Sequence, residues 1–438
     1  MKHIAKIAAF TAIFLIINLI FCGFMPPDNG SSLDMWRSYH QKQSIDIAVI
    51  GSSLASCALP EEELAAATGE TVALMATNAQ SLDMSQIALE TLLREHSPRY
   101  VILVMDLTNM TGKPYAKAQK AFLYAELQTD SWKDKPADLL RYMTSRDNFT
   151  GADSLNALFP WQSGSWPTDW PTDWPATIQQ KWNAVLNHLP HRRGAAHAQP
   201  EDTAVINFDT VGTENTWSQN AHDFSAQHIE ELTSMLQLCQ ESGTRLLLIS
   251  APKTTLDVVS YETYFDDYAY FKQLAAQYGA SYYDFNLAKP ELFENKEPDY
   301  HKDFTHMNAA GGHAFSLSMA KFLAMLDAGQ DVESLFETPS EYLAAVNYIT
   351  NVYLTPEVHP DKILLLAGSY HGPSVQAEYE FWVKAPGESE YSRVSAYSTR
   401  SWTEYAAAEH GTYQFRVNAR IVGSSADFER YYECSVDF

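Results

Sequence analysis

Ile45-Asp46-Ile47-Ala48-Val49-Ile50, followed at once by Gly51-Ser52-Ser53-Leu54, is the stretch that decides the fold of this chain. Its first six residues are apolar but for Asp46, rich in β-branched side chains and stopped by a glycine, which predicts a buried strand. The serines that follow predict a helix start. A strand turning directly into a helix is the first half of a βαβ unit.

Outward from it the pattern repeats. A helix is predicted over 60–67, opening on acidic residues and closing at Gly69, then a strand over 71–75, an amphipathic helix over 83–96 and a third strand over 100–107. The same rhythm resumes with a helix over 225–242, strands over 245–250 and 281–285 around a helix over 267–278, and a last helix over 309–326. The expectation is an α/β fold: a doubly wound five-stranded parallel sheet of the flavodoxin-like kind, with helices on both faces.

Residues 110–222 are too many for a plain connection between the third and fourth strands, and read as a long insertion over one edge of the domain. Within it, 165–175 repeats a Pro-Thr-Asp-Trp unit whose prolines forbid regular helix or central strand. That unit fits a loop whose tryptophans cover core surface; the functional alternative is an aromatic lid that stacks on sugar rings. Beyond about 338 the pattern changes to strand alternation with turn punctuation, as in Ala377-Glu378-Tyr379-Glu380-Phe381-Trp382-Val383 and Thr412-Tyr413-Gln414-Phe415-Arg416-Val417. This predicts a C-terminal antiparallel β-sandwich over 340–438.

Residues 4–24 are almost wholly apolar, behind Lys2 and Lys6 and ahead of Pro26-Pro27, which is the length of a transmembrane helix. The basic flank keeps the N-terminus in the cytoplasm, and no small-x-small cleavage site follows. The expected organisation is therefore a signal anchor over 1–26, an α/β domain over 27–335 and the sandwich over 340–438, in a single-pass cell-membrane protein with its folded domains extracytoplasmic. Cys22 stands near the end of the apolar run, but Phe21 before it is too large for a lipobox. Cys57, Cys239 and Cys434 are too scattered for a disulfide framework or a metal site and read as buried, reduced side chains. A formal charge of −24, from 54 acidic against 30 basic residues, repels phosphate backbones and excludes nucleic acid as a partner.

Catalytic groups of an open parallel sheet collect beyond the carboxyl ends of its strands. After the first strand, Gly51 permits a sharp bend, and Ser53 at the following helix start is either an N-cap or a nucleophile. After the fifth come Asp303-Phe304-Thr305-His306-Met307-Asn308 and the helix entry Ala310-Gly311-Gly312. A carboxylate three residues before a histidine can accept its Nδ1–H, leaving Nε2 to take a proton from a serine hydroxyl. His301 and His313 flank this motif and Cys57 lies one helical turn after Ser53; packing or surface roles suit all three. No zinc-spaced ligands and no phosphate-cradling glycine loop occur, so no metal and no organic cofactor are expected.

Gly51-Ser52-Ser53 after the first strand and Asp303-x-x-His306 after the last, followed by Asn308 and a Gly-Gly helix entry, resemble the SGNH (GDSL-like) hydrolase superfamily over about 44–327. The Gly-Ser-Ser variant resembles its membrane-anchored branch, which includes the D-alanine-transfer protein of teichoic acid metabolism and exopolysaccharide acetylation enzymes. The resemblance implies Ser53 as nucleophile, His306 as base and Asp303 as its orienting carboxylate. It also implies an oxyanion hole made by the Ser53 N–H, a residue after the second strand, where Ala79 stands in place of the usual glycine, and Asn109 of Leu107-Thr108-Asn109. The function implied is a serine esterase or O-acyltransferase acting on acyl, chiefly acetyl, esters of cell-envelope glycans. Its partners would be an acylated polysaccharide or cell-wall glycan and, for transfer, a membrane-embedded acyl donor. A non-catalytic envelope-assembly or carbohydrate-binding protein on a degenerate SGNH scaffold is the competing reading. Residues 411–420 resemble the closing strand of immunoglobulin-like domains of the triple-tyrosine kind.

Overall fold

The computed structural model describes residues 6–7, 9–14, 16–17, 30–105, 110, 116–130, 133–144, 224–261, 263–300 and 305–438. Strands β1 (Ile47–Gly51), β2 (Val72–Ala76), β3 (Tyr100–Met105), β4 (Arg245–Ser250) and β5 (Ser281–Asp284) form one five-stranded parallel sheet in the order β2-β1-β3-β4-β5. Strand β1 pairs in parallel with β2 from Ile47↔Val72 to Gly51↔Ala76, and with β3 from Ile47↔Tyr100 to Ile50↔Leu103. All five residues of β1 and all six of β3 are buried, as central parallel strands covered on both faces must be. The ladder begins at Ile47 rather than Ile45 because Asp46 closes the strand start: its carboxylate accepts the Thr71 N–H at 2.9 Å and its carbonyl the Arg99 N–H at 2.8 Å.

Contacts divide the chain into two compact units, with one break within β4 between residues 247 and 248 and residues 57–59 grouped with the second unit. The first unit holds β1 to β3 with helices α1 (Gly30–His40), α2 (Ser53–Ala58) as far as Ser56, α3 (Glu61–Thr68) and α4 (Leu82–Glu95). It also holds α5 (Ala116–Thr129), α6 (Lys135–Thr144) and α7 (Ala226–Ser242). Helix α1 was not expected; it buries Met35, Trp36 and Tyr39, with Trp36 edge-on to Phe122 of α5 at 5.3 Å between ring centroids. The start of the stretch read as an insertion is thus helical and packed into this unit. The Pro-Thr-Asp-Trp repeat lies outside the described residues.

The second unit holds the end of β4, α8 (Thr255–Val259), α9 (Tyr264–Gln277), β5, α10 (Ala309–Asp327), α11 (Pro339–Ala345) and the C-terminal strands. A ring cluster of Tyr283, Phe285, Phe293, Phe315, Phe322 and Phe336 packs α10 against β5. Residues 339–345, expected to open the sandwich, are helical because Thr338 caps them. The Thr338 side chain accepts the Glu341 N–H at 3.2 Å, and the Glu341 carboxylate accepts the Thr338 N–H at 2.8 Å.

The sandwich therefore begins at β6 (Ile349–His359) and continues with β7 (Lys362–His371), β8 (Ala377–Lys384), β9 (Ser392–Ser398), β10 (Trp402–Tyr405), β11 (Thr412–Ile421) and β12 (Arg430–Asp437). These form a three-stranded sheet, β10-β7-β6, and a four-stranded one, β12-β11-β8-β9, antiparallel throughout. Val352, Leu354, Ile363 and Leu365 of the first sheet and Phe381, Val383, Phe415 and Val417 of the second share one core. The strands read at 377–383 and 412–417 are the centre of the larger sheet.

Among the described residues no helix is long and apolar enough to cross a membrane. The described part of 4–24 (residues 6–7, 9–14 and 16–17) is helical, and the remainder of that expected span, with Cys22, lies outside the described residues. Cys57 and Cys239 are buried and Cys434 is half-buried, and none of the three is in a disulfide.

Candidate active site

In the first unit, β1 runs into α2 through a turn that excludes a side chain. A Cβ on Gly51 would stand 2.8 Å from Ala55 Cβ and 3.1 Å from the Val104 carbonyl. The next two serines divide the work weighed for this turn. Ser52 is buried and its Oγ accepts the Leu54 N–H at 3.4 Å, so the cap falls to Ser52. Ser53, the first helical residue, is half-buried.

The turn after β2 carries the second feature. Ala79 has φ +52°, the only positive φ at a non-glycine position among the described residues. The left-handed conformation costs an alanine about 1–2 kcal/mol, and strain of this kind clusters at functional sites. The position therefore has the backbone that a glycine would adopt freely. Gly51 and Ala76 are paired across β1 and β2, so Ser53 and Ala79 lie two and three residues beyond one rung of the sheet. Ala79→Gly should raise stability by about 0.5–1 kcal/mol, the strain relieved less the entropy glycine loses on folding. A urea midpoint at or below wild type would show that the turn accepts alanine without strain.

Asp303, Asn109 and His301 lie outside the described residues. The residue after Asn109 is held: the Met110 carbonyl accepts the Ser225 N–H at 3.1 Å and lies 2.9 Å from His228 Nδ1.

In the second unit, half-buried His306 precedes buried Met307, which bridges to Tyr300. Asn308 fixes the loop to α10. Its Oδ1 accepts the Ala310 and Gly311 N–H groups at 3.0 and 3.1 Å, its Nδ2 donates to the Pro298 and Tyr300 carbonyls at 2.8 and 3.3 Å, and its N–H donates to Asp299 O at 2.9 Å. The Tyr300 hydroxyl donates to Asn295 Oδ1 at 2.6 Å, and Asn295 Nδ2 donates to the Lys253 carbonyl at 2.7 Å, tying the histidine loop to the segment that follows β4. His313 is exposed on α10.

A polar knot at the ends of β4 and β5 escaped the sequence reading. Asn286 accepts the Lys253 N–H at 2.7 Å, while its Nδ2 lies 2.8 Å from both Asp284 Oδ1 and the Tyr264 hydroxyl. Burial pushes the Asp284 carboxyl up to about 6, opposed by its bonds from Asn286 and Tyr264 and by the charge of Lys253. Lys253 Nζ lies 2.9 Å from Asp257. The signal was Asp284-Phe285-Asn286, an Asx turn at a strand end. Among the described residues no His, Cys, Asp and Glu group is arranged to hold a metal ion.

No family model and no curated protein matches the chain. Solved structures similar to it include a candidate SGNH hydrolase from Slackia heliotrinireducens, with 11% identity and TM-score 0.32, covering 64% of this chain and 100% of that one. A GDSL-like lipase from Bacteroides thetaiotaomicron aligns with 9% identity and TM-score 0.32 over 68% of this chain and 99% of that one. A candidate acylhydrolase from Bacteroides fragilis aligns with 9% identity and TM-score 0.32 over 67% and 94%. Likeness at this level leaves the reaction to be argued from the residues. What the strand order and register establish is the fold: a doubly wound five-stranded α/β sheet followed by an antiparallel β-sandwich.

Proposed function

We propose that this chain is a serine esterase or O-acyltransferase working through Ser53, His306 and Asp303. The observation that carries the reading is the pair of turns at neighbouring strand ends. One is a side-chain-free bend that delivers Ser53; the other is a left-handed turn at Ala79 of the kind that aims a backbone amide. The His306-Met307-Asn308 turn, fixed at the head of α10 by the Asn308 bonds, adds to it.

In this mechanism Ser53 Oγ bonds to an ester carbonyl carbon as His306 Nε2 takes its proton, and Asp303 holds the other ring nitrogen. The oxyanion accepts hydrogen bonds from the Ser53 and Ala79 N–H groups and the Asn109 side chain. Collapse breaks the bond to the alcohol, which leaves with the proton from His306, and an acyl-enzyme remains. Water or a sugar hydroxyl then attacks by the same steps in reverse. An apolar N-terminal anchor with basic flank favours the outer membrane face as the place of work, and hence acylated envelope glycans as substrate, with a membrane-embedded acyl donor where the reaction is transfer.

The test is fluorophosphonate labelling of the detergent-solubilised full chain. Wild type should label, and Ser53→Ala and His306→Ala should each lower the rate by at least about a thousandfold, since serine and base act as a unit. A folded wild-type chain that takes no label would remove the reading and favour a carbohydrate-binding or envelope-assembly role.

A further inference from the structure

The left-handed turn at Ala79 is exposed, and something must hold it in a conformation that alanine disfavours. Its neighbour Gln80 is 1% exposed, and every polar atom of its side-chain amide is engaged. Nε2 donates to the Met75 carbonyl at 3.1 Å and to Ser85 Oγ at 3.2 Å, while Oε1 accepts from the Thr77 hydroxyl at 3.0 Å. The amide orientation follows from the partners. Met75 O can only accept, and the Ser85 hydroxyl proton is already given to the Ser81 carbonyl at 3.0 Å, so both face the NH2 group.

These three bonds join three pieces of backbone. Met75 lies in β2, opposite Ile50 of β1; Thr77 opens the turn; Ser85 lies in the first turn of α4. The Gln80 N–H closes the same turn on Thr77 O at 3.4 Å. With both ends of the turn fixed to one buried amide, the peptide at Ala79 has little freedom to rotate toward a relaxed conformation. Burial makes the arrangement all-or-none, because a displaced Gln80 would leave several polar groups without partners.

We propose that Gln80 is a positioning residue that locks the Ala79 N–H in its donating direction before substrate arrives. The inference rests on the proposed esterase or transferase reading and adds to it a residue that touches no substrate. A preset donor acts on the charge that develops in the transition state, so loosening it should slow the chemical step while sparing binding.

The experiment is saturation labelling of the full chain with the fluorophosphonate probe, giving a maximal rate and the probe concentration at half that rate. Gln80→Leu should lower the maximal rate about 30-fold, less than the hundredfold or more typical of deleting an oxyanion donor. The half-saturating concentration should stay within about twofold, as for an interaction made only in the transition state. Thr77→Val removes only the hydroxyl bond to Oε1, keeps the volume, and should give a smaller fall of the same kind; it decides the matter if Gln80→Leu does not fold. Folded variants with wild-type maximal rates, or a loss that appears as weaker probe binding or fewer reactive sites, would overturn the positioning role alone. An unlabelled wild type would overturn the proposed function and this inference together.

Discussion

Gly311→Ala is expected to destabilise the chain by about 3 kcal/mol, against the general rule that alanine strengthens a helix. Gly311 is the third residue of α10, and a Cβ there would stand 2.3 Å from the Asp299 carbonyl oxygen and 3.1 Å from Asp299 Cβ. The obstacle is backbone, so no side chain can swing aside. To make room, the 297–300 segment must move away from α10. The Asn308 bonds to Pro298, Asp299 and Tyr300 then stretch or break, adding the loss of these hydrogen bonds, at about 0.5–1 kcal/mol each, to the overpacking. Because His306 lies between Tyr300 and Asn308, labelling should be lost as well. His313→Ala, on the exposed side of the same helix, is the control and should change stability by no more than about 0.5 kcal/mol. Urea unfolding of both variants measures this; a Gly311→Ala chain as stable as wild type would mean that the segment yields without cost.

Arg141→Met should cost about 3 kcal/mol at pH 8 and less than half of that at pH 5.5, the lower end of the range for stripping a buried charge of its partner because Arg141 is partly exposed. Three carboxyl groups, Glu126, Asp130 and Asp138, converge in the first unit, two of them no more than 2% exposed. Arg141 Nη1 lies 2.8 Å from Glu126 and 4.0 Å from Asp138, and Arg94 lies 3.9 Å from Asp130. Thr91 donates to Glu126 at 3.3 Å, and Tyr39, His40 and Glu95 complete the surroundings from α1 and α4.

Burial pushes the Asp138 carboxyl up to about 7, helped by its bond with Asp130 and the charge of Glu126 and opposed by Arg141; burial also raises Glu126. Groups held above their unfolded value of about 4 bind protons more tightly in the folded chain. Their stabilising contribution is therefore full below about pH 4 and is lost as pH rises through the raised folded values, about 7 for Asp138. Without Arg141 the ionised Glu126 and Asp138 lose its counter-charge at pH 8, whereas protonation at pH 5.5 removes most of the penalty. Urea midpoints of wild type and variant at the two pH values test it; an equal loss at both would show that Arg141 acts through packing alone.

Much of this molecule was legible from local pattern. Strand β4 was read with its observed bounds, and α7 and α10 within a residue, because buried parallel strands are apolar runs and helices announce their ends with serine, asparagine and glycine. Gly51 reads as a bend and the serines after it as a helix start because each demands a particular residue type, whereas Asn308 entered with the family resemblance and its cap on α10 is seen only in the folded chain.

Other features had no local signature. Helix α1 has a mixed composition and becomes understandable only once Trp36 meets Phe122. Gln80 looked like any loop glutamine until its partners on β2 and α4 closed around it, and nothing beside Glu126 in sequence says that Thr91 and Arg141 will face it. Local pattern set what each segment could become, since period, breaker and cap act over one or two turns of chain. Folding settles which backbone is held strained, which side-chain amide is fully bonded and which carboxyls share a buried space, because those properties belong to groups far apart in the chain that only folding brings within hydrogen-bond reach.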